Sequence, residues 1–514
     1  MLPPFTSSAE KEAVKESDTS ALPSQDPSRN PSSYSLPIDD EYTQSRRSTW
    51  ASLWPTRNAS TSTTPEQRLW PRSWRAHGAI LSGFLQQVCC WGYVNSFGTF
   101  LALYQEKLFA GSDVLLPNLI GATITFMILL FSAPVGRLDD MGYARPIMII
   151  AAFLMLIGHV VLSFAPGNGQ IGQGIYGLAW FGQGILVGLG QAGLFVTSSQ
   201  VPSTWFHGPK KGVMLGIVSC GAAVGGVVWS STIRYLEASL GFANAVRVIG
   251  GMLCVITLLA AALAIPCPDF HFRPKPASYL KLSVWIDSSA LRSRVFLAFT
   301  AGIGFVFLTY YAVFFNLEEW AAHTGVGYKS ATPPADFTGP ALRTWYLLSM
   351  MSAASAIGRL VSSFLADRYG AVPVHTVVTT VCAFLLCVMW VLTRTFSVAL
   401  AFVLVFGAFA GSLIGLPPAS VASILGHGKD KQAKLGQWVG LMYACAAVPE
   451  LVGPVIGGHL ITRYGYLSLQ LFCGVGFFAG AGCLALASLW QRKERREEGE
   501  VEAVVVAAPQ MTQV

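Results

Sequence analysis

Long apolar segments recur along this sequence with only short polar connections between most of them. Each is about 20 to 26 residues long, and they begin near residues 78, 115, 146, 174, 212, 243, 295, 344, 371, 396, 435 and 466. A helix needs about 20 apolar residues to cross about 30 Å of hydrocarbon, whereas a membrane strand needs about ten that alternate. We therefore predict an all-α membrane protein with twelve transmembrane helices.

The charged residues agree with this interpretation. Only 12% of the 514 residues are charged, against about 25% in soluble domains. The net charge of +7 arises from Lys and Arg in short loops, which indicates membrane topology rather than nucleic-acid binding. The ten cysteines lack metal-ligand spacing, and the sequence has no GxxxxGK[ST] motif. We expect no metal, no cofactor, no nucleic-acid partner and no direct use of ATP.

The arrangement of the spans predicts the domain organisation. Residues 1–75 are rich in Ser, Thr, Pro and charge, which predicts a disordered tail. Six-helix bundles are predicted at 76–266 and 295–490, with a central loop at 267–294 and a C-terminal tail at 491–514. An even number of crossings places both ends on one side, and the excess of Lys and Arg in the loops of that side predicts that the tails and central loop are cytosolic.

The two halves carry related motifs at equivalent places. GRLDDMGYARP at 136–146 follows the second span, and ADRYG at 366–370 follows the eighth. Two matching six-helix halves around a central loop are typical of secondary transporters, whose binding site lies at the repeat interface near the bilayer midplane. This pattern predicts two pseudo-symmetric bundles with a substrate site between them.

Two strongly charged residues, Arg359 and Glu450, fall well inside the predicted spans, and Glu450 is the only carboxylate within any of them. A charge at that depth costs a few kcal/mol or more, so both should face a central cavity. Arg359 can bind an anionic substrate group; alternatively it bonds a backbone carbonyl or Glu450. Glu450 is a candidate proton carrier, because a low dielectric favours its neutral acid; alternatively it is a hydrogen-bonded packing residue.

Neutral polar residues complete the candidate substrate site. Asn95, Gln191, Tyr310 and Tyr311 lie within spans and would orient a ligand without adding charge. The alternative is that some of them only bond across helices. Trp91 and the other tryptophans of the spans lie toward span ends or the cavity, and the aromatic belt at the membrane interface is the default interpretation for most of them.

The sequence resembles the major facilitator superfamily and, more narrowly, its fungal monocarboxylate-transporter-like branch. The resemblance rests on motifs in a fixed order: WGYVNSFGTFLALYQ at 91–105, GRLDDMGYARP, STWFHGPKKGVMLGIVSCGAAVGG at 203–226, the Tyr310–Tyr311 pair, Gly358–Arg359, ADRYG and GPVIGG at 453–458. Animal proton-coupled members of this family bind substrate and proton through a lysine in helix one and an acid in helix eight. Phe97 and Ser355 stand at these positions here, which argues against lactate-like symport by that arrangement.

The resemblance also assigns a gate to the charged loops. It implies that Asp140 and Arg145, with Asp367 and Arg368 in the second half, form contacts in only one conformer and so bias the equilibrium between conformers. The alternative is that these four residues are loop charges that obey membrane topology.

These features predict a secondary active transporter, not an enzyme, that moves a small organic molecule by rocker-switch alternating access, with coupling to protons left open. A carboxylate and a secondary metabolite both remain open as substrates, as do uptake and efflux. The bilayer is its other partner. The plasma membrane is the expected location, with the vacuolar membrane as a second option. A non-transporting receptor with the same fold is the alternative function.

Overall fold

A computed structural model describes residues 73–206, 210–268, 287–326, 344–426 and 434–507. The predicted N-terminal tail, apart from residues 73–75, lies outside these residues, as do most of the predicted central loop and the last seven residues. Within the described ranges the chain is helical and contains no strand. This confirms the predicted all-α membrane fold.

The first predicted span is not a single helix. It consists of α1 (Trp74–Cys89), α2 (Trp91–Asn95) and α3 (Phe97–Leu103), followed by a π-helical turn. Cys90 separates α1 from α2 with φ −88° and ψ −91°, outside the helical region. Ser96 separates α2 from α3, and its hydroxyl donates to the Tyr93 carbonyl, a local bond that competes with helical pairing.

Twelve further helices follow, and in the described part of the chain eleven of them are long and apolar enough to cross a membrane. The exception is the nine-residue α13. The helices are α4 (Leu115–Asp140), α5 (Ala144–Leu162), α6 (Tyr176–Ser203), α7 (Lys210–Leu240), α8 (Phe242–Leu263), α9 (Arg294–His323), α10 (Thr344–Tyr369), α11 (Ala371–Trp390), α12 (Phe396–Gly415), α13 (Pro417–Leu425), α14 (Leu435–Tyr464) and α15 (Tyr466–Ala507).

The spans therefore match the prediction in position, with the broken α1–α3 segment in the first place. Helix α15 continues well beyond residue 490, where the second bundle was predicted to end. Consecutive spans of a chain that crosses a membrane repeatedly run in opposite directions, so we call the face where α1 begins the terminal face and the other the opposite face. We call α1–α8 the N-terminal bundle and α9–α15 the C-terminal bundle.

Two helix pairs form most of the interface between the bundles: α4 packs along α14, and α7 packs along α10. Small residues permit this close approach. A Cβ atom on Gly440 would lie 2.9 Å from the Ala133 Cβ, and one on Gly226 would lie 2.7 Å from the Ser352 Cβ. Both distances are too short for ordinary contact, so the interface requires glycine at these positions.

Candidate functional site

Arg359 lies on α10, buried at 2% exposure. Its Nε atom has no hydrogen-bond partner among the described residues, and no ion pair joins its guanidinium to Glu450. A buried, unpaired guanidinium is costly, because it loses hydration without gaining a counter-charge. Arg359 can therefore supply charge and a hydrogen bond to a bound group.

Glu450 lies on α14 and is fully buried. Its Oε1 atom accepts a hydrogen bond of 3.1 Å from the Thr125 hydroxyl on α4, so this contact joins the two bundles. Its Oε2 atom is buried without a partner. One half of the carboxyl group thus connects the bundles, and the other half has unused hydrogen-bonding capacity.

The neutral candidates differ in how their polar atoms are satisfied. Gln191 donates through Nε2 to the Cys89 carbonyl at 3.3 Å, but its Oε1 has no partner. Tyr310 donates to the Ala410 carbonyl at 3.3 Å, whereas the Tyr311 hydroxyl has no partner. Asn95 is buried at the end of α2. Gln191 and Tyr311 therefore retain free hydrogen-bonding atoms, and Tyr310 does not.

Several buried polar atoms without partners belong to helices that meet at the bundle interface. Most buried polar atoms in proteins are paired, so such a group needs an explanation. Arg359 and Glu450 both lie within electrostatic range of the two tyrosine hydroxyls of α9. We call these atoms the unpartnered set: Trp91 Nε1, Gln191 Oε1, Tyr311 Oη, Arg359 Nε and Glu450 Oε2.

Aromatic side chains that include Trp91 and Tyr311 of the unpartnered set connect the bundles. Six rings contact one another in a closed circuit, with centroid distances from 4.9 to 6.4 Å. Two of the contacts cross the interface: Trp91 stacks on Tyr311, and Phe195 meets Tyr443 edge to face. We call the six residues the aromatic cluster: Trp91, Phe195, Phe307, Tyr310, Tyr311 and Tyr443. Trp91 is buried, so of the two predicted places it lies away from the interfacial belt.

A polar network inside the N-terminal bundle contrasts with the unpartnered set, because its side chains form hydrogen bonds with one another. His159 bonds the Met155 carbonyl through Nδ1 at 2.8 Å, which makes Nδ1 the donor and leaves Nε2 as an acceptor. Tyr93 then donates to Nε2 at 2.9 Å and accepts from Gln183 at 2.7 Å. Gln183 in turn accepts from Tyr104 at 2.5 Å. This chain of bonds gives His159 a structural role.

The four predicted gating residues lie at the terminal face. Arg145 donates through Nε to the Ala264 carbonyl at 3.0 Å, a contact within its own bundle. Arg368 lies over the ring of Tyr369 at 5.5 Å. No ion pair joins Asp140 to Arg145 or Asp367 to Arg368, although both aspartates take part in other interactions. The gating role of these residues stays a prediction.

At the opposite face, an ion pair connects the two bundles. Arg234 of α7 contacts Glu318 of α9 at 2.7 Å and Glu106 at 3.2 Å. Lys107 pairs with Glu237 at 2.5 Å within the N-terminal bundle. Glu318 is 1% exposed inside α9, so the prediction that Glu450 is the only carboxylate within a span is wrong. The signal in the sequence is that oppositely charged residues end the first, fifth and seventh spans, all at the same face.

Another ion pair lies at the terminal face, within the C-terminal bundle. Asp287 precedes α9 and contacts Lys434 at 3.0 Å and the Trp438 indole at 3.1 Å. Burial alone would raise the pKa of Asp287, but hydrogen bonds from Ser289, Trp438 and Lys434 outweigh it and lower that pKa below its usual range. The pair therefore holds the start of α14 against the segment before α9.

Within the described ranges, no three His, Cys, Asp or Glu side chains converge as metal ligands would.

The family follows from the match of the sequence to the model of the Major Facilitator Superfamily. The match covers residues 78–431 and 345–507, which together span most of the chain. This chain belongs to the Major Facilitator Superfamily. It is a multi-pass membrane protein.

Two relatives carry transporter names. An MFS-type transporter of Aspergillus fumigatus is 28% identical over 82% of this chain and 93% of its own. A protein of Emericella nidulans named as an aspyridones efflux protein is 27% identical over 78% of this chain and 74% of its own. A solved structure, the fucose:proton symporter of Escherichia coli, superposes with a TM-score of 0.51. It is 16% identical and covers 80% of this chain and 98% of its own, which supports the fold alone.

Proposed function

We propose that this protein is a secondary active transporter that exports a small anionic organic compound by alternating access between its two bundles. The buried Arg359 guanidinium, whose Nε has no partner among the described residues, is the observation that carries the proposal. The relative named as an aspyridones efflux protein supports the outward direction. The plasma membrane is the proposed location, with the termini in the cytosol.

Binding would use the unpartnered set together with Asn95 and Tyr310. Arg359 would supply the positive charge that a carboxylate or other acidic group requires. Gln191 and Tyr311 would fix the orientation of the substrate through their free polar atoms. A bound substrate would give these atoms the hydrogen-bond partners that the described residues do not provide. Binding would therefore offset the cost of burying them.

Within the superfamily, we place this chain in the fungal monocarboxylate-transporter-like branch on the motifs described above. Small-carboxylate symport as in the animal members is not part of the proposal. Phe97 packs against Phe315 with ring centroids 4.8 Å apart, and the Ser355 hydroxyl donates to the Ser352 carbonyl at 2.7 Å. Neither position offers the charge that the animal arrangement requires, so we propose a larger organic acid as substrate.

Glu450 is our candidate for proton coupling, because its contact suits both protonation states. The Thr125 hydroxyl has one proton and two close acceptors, Glu450 Oε1 at 3.1 Å and the Ala122 carbonyl at 3.0 Å. When Glu450 is ionised, Thr125 can donate to it. When Glu450 is protonated, the acid can donate to Thr125, which then donates to Ala122. Protonation would thus reverse a bond between α4 and α14 without breaking it.

Replacing Glu450 with glutamine tests this role. Glutamine keeps the size and can donate to Thr125, but it cannot exchange a proton. We expect E450Q to retain binding and substrate exchange while it loses stimulation by a pH gradient. The measurement is flux into proteoliposomes with and without an imposed gradient. Full stimulation in E450Q would remove Glu450 as the proton carrier.

Transport itself is tested with the full chain. Untargeted metabolite profiles of a deletion strain and its parent, inside and outside the cell, should show an organic anion that accumulates inside the deletion strain. The same compound should cross the membrane of proteoliposomes that contain the purified protein and not of protein-free liposomes. Binding without flux would instead support a non-transporting receptor, and a fluorescent fusion separates the plasma membrane from the vacuole.

A further inference from the structure

The aromatic cluster restricts the substrate more narrowly than charge does. We propose that the substrate is a planar, hydroxylated aromatic acid whose ring inserts between Trp91 and Tyr311. This inference rests on the proposed function, since it concerns the same site. Its basis is that the site contains one stacked aromatic pair whose members belong to different bundles.

The stack has the geometry that a planar guest can extend. The rings of Trp91 and Tyr311 are 5.7 Å apart between centroids and 11° from parallel. Trp91 belongs to the N-terminal bundle and Tyr311 to the C-terminal bundle, so separation of the bundles separates the rings. A planar ring of ordinary thickness, about 3.5 Å, would then present one face to each side chain. Offset stacking of this kind is favourable beyond the burial of apolar area.

The polar atoms around the stack specify the groups that the substrate carries. The Trp91 indole nitrogen and Arg359 Nε can only donate, so they require acceptors such as a carboxylate or a carbonyl. Gln191 Oε1 can only accept, so it requires a hydroxyl or N–H donor. Gln191 lies beside Trp91, because its Nε2 bonds the Cys89 carbonyl just before α2. An aromatic ring with an acidic group and a hydroxyl group meets all three requirements.

The remaining contacts of the cluster define the edges of the space. Phe195 meets Trp91 nearly at right angles with ring centroids 5.2 Å apart, and Tyr310 meets Tyr311 at 70° with centroids 4.9 Å apart. These T-shaped contacts hold the two stacking rings in their orientation. A saturated ring is thicker and has no π-system, so it would force these edges apart without regaining the stacking energy.

A second stacked pair in the protein provides a matched control. Trp390 stacks on Phe402 at 5.7 Å and 10°, and Trp390 is fully buried with an unpartnered indole nitrogen. Both residues belong to the C-terminal bundle, on α11 and α12. This pair therefore has the same chemistry as Trp91 and Tyr311 but does not lie across the interface.

The test measures binding to the purified full-length protein in lipid nanodiscs. Hydroxynaphthoate is the aromatic probe, followed by its own fluorescence anisotropy, and its fully saturated analogue is the competitor. We expect hydroxynaphthoate to bind at least about tenfold more tightly than the analogue. Trp91→Leu should remove that preference, Trp91→Phe should keep most of it, and Trp390→Leu should leave it unchanged.

Equal affinity for the two probes would overturn the inference, as would a preference that survives Trp91→Leu. So would a Trp390→Leu variant that loses the preference to the same degree while it remains folded by size-exclusion chromatography. Proteoliposome flux separates the two proposals. Aromatic binding that depends on Trp91 without flux would support the inference and contradict transport; flux of a non-aromatic anion without aromatic preference would do the reverse.

Discussion

Replacing Arg359 with glutamine is expected to lower substrate flux about 100-fold, which corresponds to about 2.7 kcal/mol of lost binding. Glutamine retains hydrogen-bond donors but removes the charge that pairs with an acidic substrate. Because the guanidinium Nε has no partner in the protein, removing the charge also relieves the cost of burying it. We therefore expect R359Q to be at least as thermally stable as the parent protein.

This combination distinguishes a binding role from a structural one. If Arg359 served only to hold helices together, R359Q would lose stability first and flux in proportion to the folded protein. The matched control is R247Q, because Arg247 is an exposed arginine of α8 whose Nε donates to the Ser163 hydroxyl at 2.9 Å. R247Q should keep normal flux. Undiminished flux in correctly folded R359Q would contradict anion binding at this site.

Replacing Arg234 with methionine is expected to open the opposite face. Glu318 would stay buried without its cation, a penalty of about 3 to 5 kcal/mol in the conformer in which these bundles touch. Conformers that expose Glu318 to water avoid that penalty, so the ratio of their population to that of the closed conformer should rise by about two to four orders of magnitude. Pulsed electron spin resonance between labels at Tyr235 and Thr324, which lie on different bundles, should show a longer distance.

Two further variants show whether the unpaired carboxylate is the cause. The double variant R234M/E318L replaces the ion pair with apolar side chains, which is often neutral or stabilising, so it should restore the short distance. K107M breaks the pair with Glu237 inside one bundle and should leave the distance unchanged. A long distance in the double variant, or none in R234M, would show that the Arg234 pair does not hold the bundles together.

The sequence was sufficient to predict the fold and to identify the two buried residues that stand out by charge. Arg359 and Glu450 could be singled out because a charge inside an apolar span is rare and costly; both are buried, and their roles stay predictions. Arg234 and Glu318 could not, because the span length was taken from the thickness of the bilayer. Helix α9 continues to His323. A length rule does not show how far a helix extends past the hydrocarbon.

The aromatic cluster could not be predicted from the sequence, for a different reason. Trp91, Phe195, Tyr311 and Tyr443 are far apart along the chain, and only the packing of α2, α6, α9 and α14 brings them together. Hydropathy treats each of them as one more apolar residue. The position of Trp91 near the start of a span thus left the belt and the cavity both open, because nothing local distinguishes a lipid-facing indole from one that faces another bundle.

The interruption of the first span at Cys90 has a consequence for how the cargo is recognised. Trp91 directly follows Cys90, so once separation of the bundles has freed the indole from Tyr311, α2 could turn about Cys90 while α1 stays in place. Such local rotations take nanoseconds to microseconds, whereas movements of whole domains take microseconds to milliseconds. Binding of a molecule beside Trp91 would then be faster than its release on the other side of the membrane. Many molecules could bind and dissociate for each completed transport cycle.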